Sequence, residues 1–171
     1  RVCATSSAAV GSAGGRGGGN TGETGAAGPQ AAEAGGILTV DLSAIEANWR
    51  ALSRRAMPSE CAAVVKADAY GCGIEPVTGR LAKAGCKTFF VADLSEARRV
   101  RAVASEPAIY VLNGLLPETC SSFADIRARP VIGSMQELAE WDAFCLAQRW
   151  KGGAAAQFAP GMNRLGISAH E

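Results

Sequence analysis

A lysine stands where an apolar segment meets a loop that contains glycines. Residues 61–65 are continuously apolar, and Lys66 follows them directly, ahead of Tyr70, Gly71 and Gly73. Such a segment is typical of a strand covered on both faces in a parallel sheet, where ligand sites lie at the carboxyl ends of the strands. Burial there would favour the neutral, nucleophilic amine that attacks an aldehyde. The same residues also fit a lysine that ends a strand and reaches water.

The apolar segments of the chain predict the elements that must position this lysine. Five of them indicate buried strands, and they begin 27, 20, 22 and 24 residues apart, at 61–65, 88–92, 108–112, 130–132 and 154–158. This spacing is typical of strands that alternate with helices.

Helix starts are expected between these strands. Ser43 and Ser134 are each followed three residues later by glutamate, the capping-box pattern, and Asp93 begins a looser version of it. Apolar residues at helical spacing follow these starts. We therefore predict that Trp49 and Trp141 pack in the core.

Three segments resemble the alanine racemase family. Val-Lys-Ala-Asp-Ala-Tyr-Gly at 65–71 is similar to the family's pyridoxal phosphate lysine motif, and Gly-Met-Asn-Arg-Leu-Gly-Ile at 161–167 is similar to its arginine motif. Residues 38–49 resemble its amino-terminal strand and first helix, and residues 110–114 are similar as well. The segments stand in the family's order, and the resemblance extends from about Ile37 to the last residue.

The resemblance implies the fold-type III barrel of that family. A full (β/α)8 barrel needs about 250 residues, whereas 171 residues without the first 36 leave 135. We therefore expect an α/β fold for residues 37–171, a partial (β/α)8 TIM-type barrel with about five of the eight βα units. Because the chain begins with Arg1 and stops at Glu171, we also expect a partial reading frame.

The first 36 residues differ in composition from the rest of the chain. Eleven of them are glycine and nine are alanine, with few bulky apolar side chains. A segment of this kind buries too little apolar surface to offset its ordering entropy. We predict that residues 1–36 form a disordered, low-complexity leader.

The resemblance also implies roles for three side chains. Lys66 would bind pyridoxal 5'-phosphate covalently and act as the base at the substrate Cα. Tyr70 would hydrogen-bond the phosphate, and Arg164 would contact the cofactor's ring oxygen and the substrate carboxylate. In the family the second base is a tyrosine from the carboxyl-terminal domain of a partner subunit, a region that lies outside this sequence.

Three departures from the family pattern bear on these roles. Cys72 replaces the usual histidine of the lysine motif. Ala159 and Pro160 stand where the family commonly has Asp-Thr, and Gln157 stands where many members carry a lysine that orients the arginine. Their effect on Arg164 stays open at this point.

The predicted function is that of an alanine racemase that interconverts L- and D-alanine for cell-wall precursor supply. The resemblance implies a cytoplasmic protein and a homodimer in the full-length form, with the 171-residue chain inactive by itself. Two alternatives remain open: a non-catalytic remnant that binds pyridoxal 5'-phosphate, and an enzyme of the same barrel class that acts on another amino acid.

Composition argues against other classes of function. Seventeen basic and sixteen acidic residues give a net charge of +1 without a basic block, so we expect no nucleic-acid partner. No segment approaches the roughly 20 apolar residues of a membrane span. The six cysteines include no Cys-x-x-Cys pair, so neither a disulfide framework nor a metal site is predicted. The single histidine, His170, is assigned no role.

Overall fold

The structure, a computed structural model, describes residues 2–5, 38–162 and 164–168. Its strands are β1 (Val2–Thr5), β2 (Glu60–Val64), β3 (Thr88–Val91), β4 (Ala108–Val111), β5 (Ala128–Ile132) and β6 (Ala155–Ala156). Its helical segments are α1 (Leu42–Ala56), α2 (Lys66–Tyr70), α3 (Ile74–Lys83), α4 (Leu94–Val103), α5 (Cys120–Asp125) and α6 (Met135–Gln148).

The strands form one parallel sheet in the order of the chain. Each strand pairs with the next from β1 to β6, and helical segments connect consecutive strands from β2 onward. The five strands predicted from the apolar segments are confirmed as β2 to β6. β5 begins two residues earlier than predicted, and β6 is shorter than predicted. The result is a parallel half-barrel covered by helices, the predicted partial (β/α)8 fold.

The edge of β2 differs from expectation. Val2–Thr5 pair in parallel with β2, from Val2 opposite Glu60 to Thr5 opposite Ala63, although the sequence predicted disorder for the whole leader. Residues 38–40, at the start of the segment that resembles the family's amino-terminal strand and first helix, lie in no strand. An edge strand presents unpaired N–H and C=O groups to any extended segment, and here residues 2–5 pair with them. The rest of the leader prediction, for residues 1 and 6–36, lies outside the described residues.

The helix starts follow the predicted capping chemistry with one exception. Ser134 caps α6 and Asp93 caps α4 through their side-chain oxygens, as expected. The prediction that Ser43 caps the first helix is wrong, because the cap lies two residues earlier. Asp41 caps α1, because its Oδ1 accepts from the backbone N–H groups of Ser43 and Ala44 at 2.8 and 3.0 Å. Aspartate is at least as good an N-cap as serine, so the earlier residue starts the helix.

The core lies between the helices and one face of the sheet. Side chains alternate across each strand, and those that face the helices are almost fully buried, including Phe89, Val91, Ile109, Val111 and Ile132. The tryptophans pack there as predicted: Trp49 donates from Nε1 to the Cys61 carbonyl at 3.1 Å, and Trp141 lies edge-on to Phe123 with ring centroids 5.9 Å apart.

The opposite face of the sheet carries a row of side chains at matching register. Val64, Phe90, Tyr110 and Arg129 are aligned across β2, β3, β4 and β5. Phe90 stacks on Tyr110 with centroids 5.2 Å apart, and the Arg129 guanidinium donates to the Tyr110 hydroxyl at 2.8 Å. Within the described ranges, no helix has the length and apolar character needed to cross a membrane.

Candidate active site

Lys66 begins the loop at the carboxyl end of β2. The residue before it still belongs to the sheet ladder, since the Val65 N–H donates to the Phe90 carbonyl at 2.9 Å. Lys66 is half-buried. In the part of the chain that the structure describes, its amine forms no ion pair with a carboxylate. The neutral form of this amine is the nucleophile that would attack an aldehyde.

The backbone after Lys66 is left-handed, which the sequence did not predict. The φ angles of Ala67, Asp68, Ala69 and Tyr70 lie between +52° and +56°, and Gly71 follows at +82°. Each non-glycine residue in this region costs about 1–2 kcal/mol. Sequence reasoning missed the turn because only its glycine favours such a conformation. Strain of this kind persists where surrounding groups hold the segment, and it is common at functional sites.

Hydrogen bonds from outside and inside the loop hold this turn. The Asp68 N–H donates to Oε1 of the buried Glu96 at 3.0 Å. The Asp68 carboxylate in turn accepts from the N–H of Ile74, at the start of α3, at 3.1 Å. Arg99 on α4 donates to the same carboxylate at 2.7 Å and to Glu75 at 2.7 Å. The Ile74 N–H, together with the Arg99 guanidinium, holds the pKa of Asp68 below its usual range.

Tyr70 ends the left-handed turn and is 46% exposed. Its ring borders a small apolar cavity shared with Cys72, Trp49 and Val77, which lies on the side of the sheet that faces α1 and α3. Its hydroxyl has no hydrogen-bond partner among the described residues, so it is available to an external acceptor.

Arg164 lies in a loop that folds back onto the end of β6. The Ile167 N–H donates to the Gln157 carbonyl at 2.8 Å, and the Ala159 N–H donates to the Ile167 carbonyl at 2.9 Å. Gly166 is required at this crossing because its φ is +117° and an added Cβ would lie 3.0 Å from the Gln157 carbonyl oxygen. Arg164 is exposed and forms no ion pair within the described ranges.

Gln157 contributes a contact that sequence reasoning did not find. Its side-chain Nε2 donates to the Leu165 carbonyl, next to Arg164, at 3.0 Å. The departure from lysine at this position therefore leaves a residue that still orients the arginine loop, through its backbone. The sequence pointed to this position only through the family pattern, in which many members carry a lysine here that orients the arginine.

The fold brings Lys66 and the Arg164 loop to the same edge of the sheet without joining them. Both follow the carboxyl ends of parallel strands, β2 and β6, which are four strand spacings apart or about 19 Å along a flat sheet. No hydrogen bond or ion pair connects Lys66, Tyr70 and Arg164 in the described segments. The described residues also contain no group of three or more His, Cys, Asp or Glu side chains suited to a metal ion.

Residues 40–171 match the family described as alanine racemase, N-terminal domain. This chain belongs to the alanine racemase family. The alanine racemase of Methylobacterium sp. (strain 4-46) is 53% identical over 137 residues, and that of Brucella suis (strain ATCC 23445 / NCTC 10510) is 45% identical over 139 residues. These alignments cover 80% and 81% of this chain.

A solved structure supports the same assignment. The crystal structure of alanine racemase from Bartonella henselae, which holds covalently bound pyridoxal phosphate, aligns with a TM-score of 0.72 and 36% identity over 77% of this chain. The chain spans 38% of the length of the Methylobacterium relative, 35% of the Brucella relative and 38% of the Bartonella chain. The family match at residues 40–171 includes strands β2 to β6.

Proposed function

We propose that this chain forms the pyridoxal 5'-phosphate-binding part of an alanine racemase, a pyridoxal phosphate-dependent isomerase that interconverts L- and D-alanine. The proposal rests chiefly on Lys66. This lysine is half-buried at the carboxyl end of β2, where parallel α/β folds bind ligands, and no carboxylate of the described residues pairs with it. Family membership supports the assignment.

The residues present fit the proposed cofactor. The cofactor offers an aldehyde, an anionic phosphate and a ring oxygen. This edge of the sheet carries the amine of Lys66, the hydroxyl of Tyr70 and the exposed guanidinium of Arg164, none of which has a partner among the described residues. When bound, pyridoxal 5'-phosphate supplies an electron sink for the charge that develops at the substrate Cα.

The three side chains would then have distinct tasks. The Lys66 amine would hold the cofactor through its aldehyde carbon, with the aldehyde oxygen leaving as water, and when released by an incoming amino acid it would accept or return the proton at Cα. The Tyr70 hydroxyl donates a hydrogen bond to a phosphate oxygen. The Arg164 guanidinium, held by its loop, donates to the substrate carboxylate and to the ring oxygen, since planar anionic groups match its donors.

The remaining parts of the proposal rest on family membership. They are alanine as the substrate, a role in supplying D-alanine for peptidoglycan precursors, a cytoplasmic location and a homodimer of the full-length protein. The two functions that the sequence left open, a binding remnant and an enzyme for another amino acid, are outcomes of the tests below.

The binding step is tested with the 171-residue chain and pyridoxal 5'-phosphate. We expect visible absorbance from the amine–aldehyde linkage and, after borohydride reduction and proteolysis, cofactor mass on the peptide that contains Lys66. Lys66→Ala should abolish both signals. Lys83→Ala, which removes an exposed lysine of α3, is the matched control and should keep them. Cofactor mass spread equally over all lysines, or none on Lys66, would refute the proposal.

The substrate is tested by isotope exchange in D2O with the cofactor-loaded protein, because exchange at Cα needs only one base, whereas racemisation by the 171-residue chain alone is not expected. Lys66 as the base predicts deuterium at Cα of one enantiomer of alanine, and this exchange should vanish in Lys66→Ala. Faster exchange into a larger amino acid would favour the enzyme for another substrate. A loaded chain that exchanges no amino acid would favour the binding remnant.

A further inference from the structure

Glu96, on α4, is a buried carboxylate that pairs with backbone groups instead of a cation. Its exposure is 8%, and it forms no ion pair with a lysine or arginine in the described part of the chain. Burying a carboxylate is costly unless its oxygens are hydrogen-bonded. Here each oxygen accepts one backbone N–H, so the side chain is held between two segments of the chain.

The two N–H donors belong to neighbouring βα loops. Oε1 accepts from Asp68, two residues after Lys66, at 3.0 Å, and Oε2 accepts from Ala92, at the end of β3, at 2.8 Å. Ala92 is fixed by the sheet. Through these two hydrogen bonds, Glu96 connects the turn that follows Lys66 to the end of the adjacent strand, β3.

The bond to Asp68 reaches the most strained backbone in the described residues. Inside the turn, the Ala69 N–H donates to the Val65 carbonyl at 2.9 Å and the Gly71 N–H donates to the Ala67 carbonyl at 3.1 Å. The Asp68 N–H has its partner outside the turn, in Glu96. Four consecutive non-glycine residues at positive φ need such an external contact, because their own conformational preferences oppose the turn.

A second glutamate makes the same kind of link elsewhere in the sheet. Oε2 of Glu137 accepts from Gly133, after β5, at 3.0 Å and from Leu115, in the loop after β4, at 3.3 Å. Each glutamate lies four residues after the N–H donor at the end of a strand, Ala92 for Glu96 and Gly133 for Glu137. Each also lies three residues after the residue that caps its helix. The loop that it ties carries no lysine, so Glu137 provides a matched control.

We propose that Glu96 is a positioning residue for Lys66: by accepting the Asp68 N–H it holds the left-handed turn that sets where the Lys66 amine stands. The inference rests on the proposed function and deepens it. Without this acceptor, the turn relaxes toward ordinary backbone conformations, and the amine spends less time in the place where it meets the cofactor's aldehyde.

The test uses Glu96→Gln in the 171-residue chain, with Glu137→Gln as control. A carboxamide has one acceptor oxygen, so Glu96→Gln keeps the shape of the side chain and loses one of the two bonds. Amide hydrogen exchange measured by NMR reports the turn without any cofactor. Titration with pyridoxal 5'-phosphate, followed by borohydride trapping at Lys66, reports the position of the amine. Circular dichroism checks folding, and Glu96→Asp replaces the glutamine variant if that variant does not fold.

We expect the Asp68 amide to exchange at least tenfold faster in Glu96→Gln, and half-saturation of Lys66 to need at least about fivefold more pyridoxal 5'-phosphate. Glu137→Gln should change neither quantity. Equal trapping at Lys66 with and without the Glu96 carboxylate would overturn the positioning role, as would unprotected exchange of the Asp68 amide in the unmodified chain. A protected Asp68 amide in a chain that traps no cofactor at Lys66 would instead overturn the proposed function and leave the structural link intact.

Discussion

The side-chain amide of Gln157 donates a hydrogen bond to the backbone carbonyl of Leu165 over 3.0 Å. Gln157 directly follows β6, and Leu165 is the neighbour of Arg164 in the chain. A residue on the sheet thus contacts the loop that carries the predicted cofactor-binding arginine. The link acts on the backbone of the loop and leaves the guanidinium free.

Gln157→Ala should loosen the Arg164 loop. One neutral hydrogen bond contributes about 1 kcal/mol, which corresponds to roughly a fivefold change in the population of an open loop. We therefore expect trypsin to cleave after Arg164 several-fold faster in the variant, as followed by mass spectrometry. Gln136→Ala, which removes an exposed amide on α6, is the control and should cleave at the original rate. Equal rates in all three proteins would show that the contact does not restrain the loop.

The start of α1 gives a test of the corrected cap. Asp41→Ala removes the acceptor of two backbone N–H groups and should lower the free energy of unfolding by about 1 kcal/mol. Ser43→Ala removes an exposed hydroxyl that accepts one hydrogen bond, from Arg80, among the described residues, so it should lower the free energy of unfolding much less. Urea unfolding followed by circular dichroism measures both. A larger loss of unfolding free energy for Ser43→Ala than for Asp41→Ala would show that Ser43 caps the helix, as the sequence predicted.

Acid should destabilise the protein through the carboxylates around the Lys66 loop. The Ile74 N–H and Arg99 lower the pKa of Asp68, and the hydrogen bond from Arg99 lowers the pKa of Glu75. The unfolded chain therefore takes up these protons first as pH falls, beginning near the ordinary values of 3.8 and 4.5. Stability from these groups is present above those values and is lost as pH falls through the lower pKa values of the folded protein.

Asp68→Asn isolates this contribution. The variant should show a shallower fall in the free energy of unfolding between about pH 5 and pH 3 than the unmodified chain. Asp142→Asn, which neutralises an exposed carboxyl on α6, should leave the slope unchanged. The measurement is urea unfolding at a series of pH values, and an identical slope for Asp68→Asn would contradict the prediction.

The cysteines should differ sharply in reactivity. Burial raises the pKa of the Cys86 thiol to about 11, and its Sγ contacts the Thr88 carbonyl at 3.3 Å. Cys72 is half-buried in the loop after Lys66. At pH 8 we expect iodoacetamide to modify Cys72 at least tenfold faster than Cys86, as measured on the separated peptides. In urea the two rates should converge, and equal rates in the folded protein would refute the burial argument.

Local signals in the sequence were sufficient for strands β2 to β6 and for the starts of α4 and α6. Strand positions follow from continuous apolar segments, because a strand buried on both faces needs them along its whole length. Asp93 and Ser134 were found because capping depends on one side chain and the nearest N–H groups. The α1 cap was placed two residues late because aspartate and serine both qualify, and only the folded backbone selects one.

Residue types and motif order determined which side chains could bind a cofactor: Lys66 as the amine, Tyr70 as the hydroxyl and Arg164 as the guanidinium. Tertiary structure alone decided how they are held. The left-handed turn after Lys66 has no clear sequence signal, since alanine disfavours positive φ and Asp68 only tolerates it. The acceptor that secures the turn, Glu96, is 28 residues away in the chain. Local preferences act over a few residues, whereas a contact of this range exists only after the parallel strands have brought their loops to one edge.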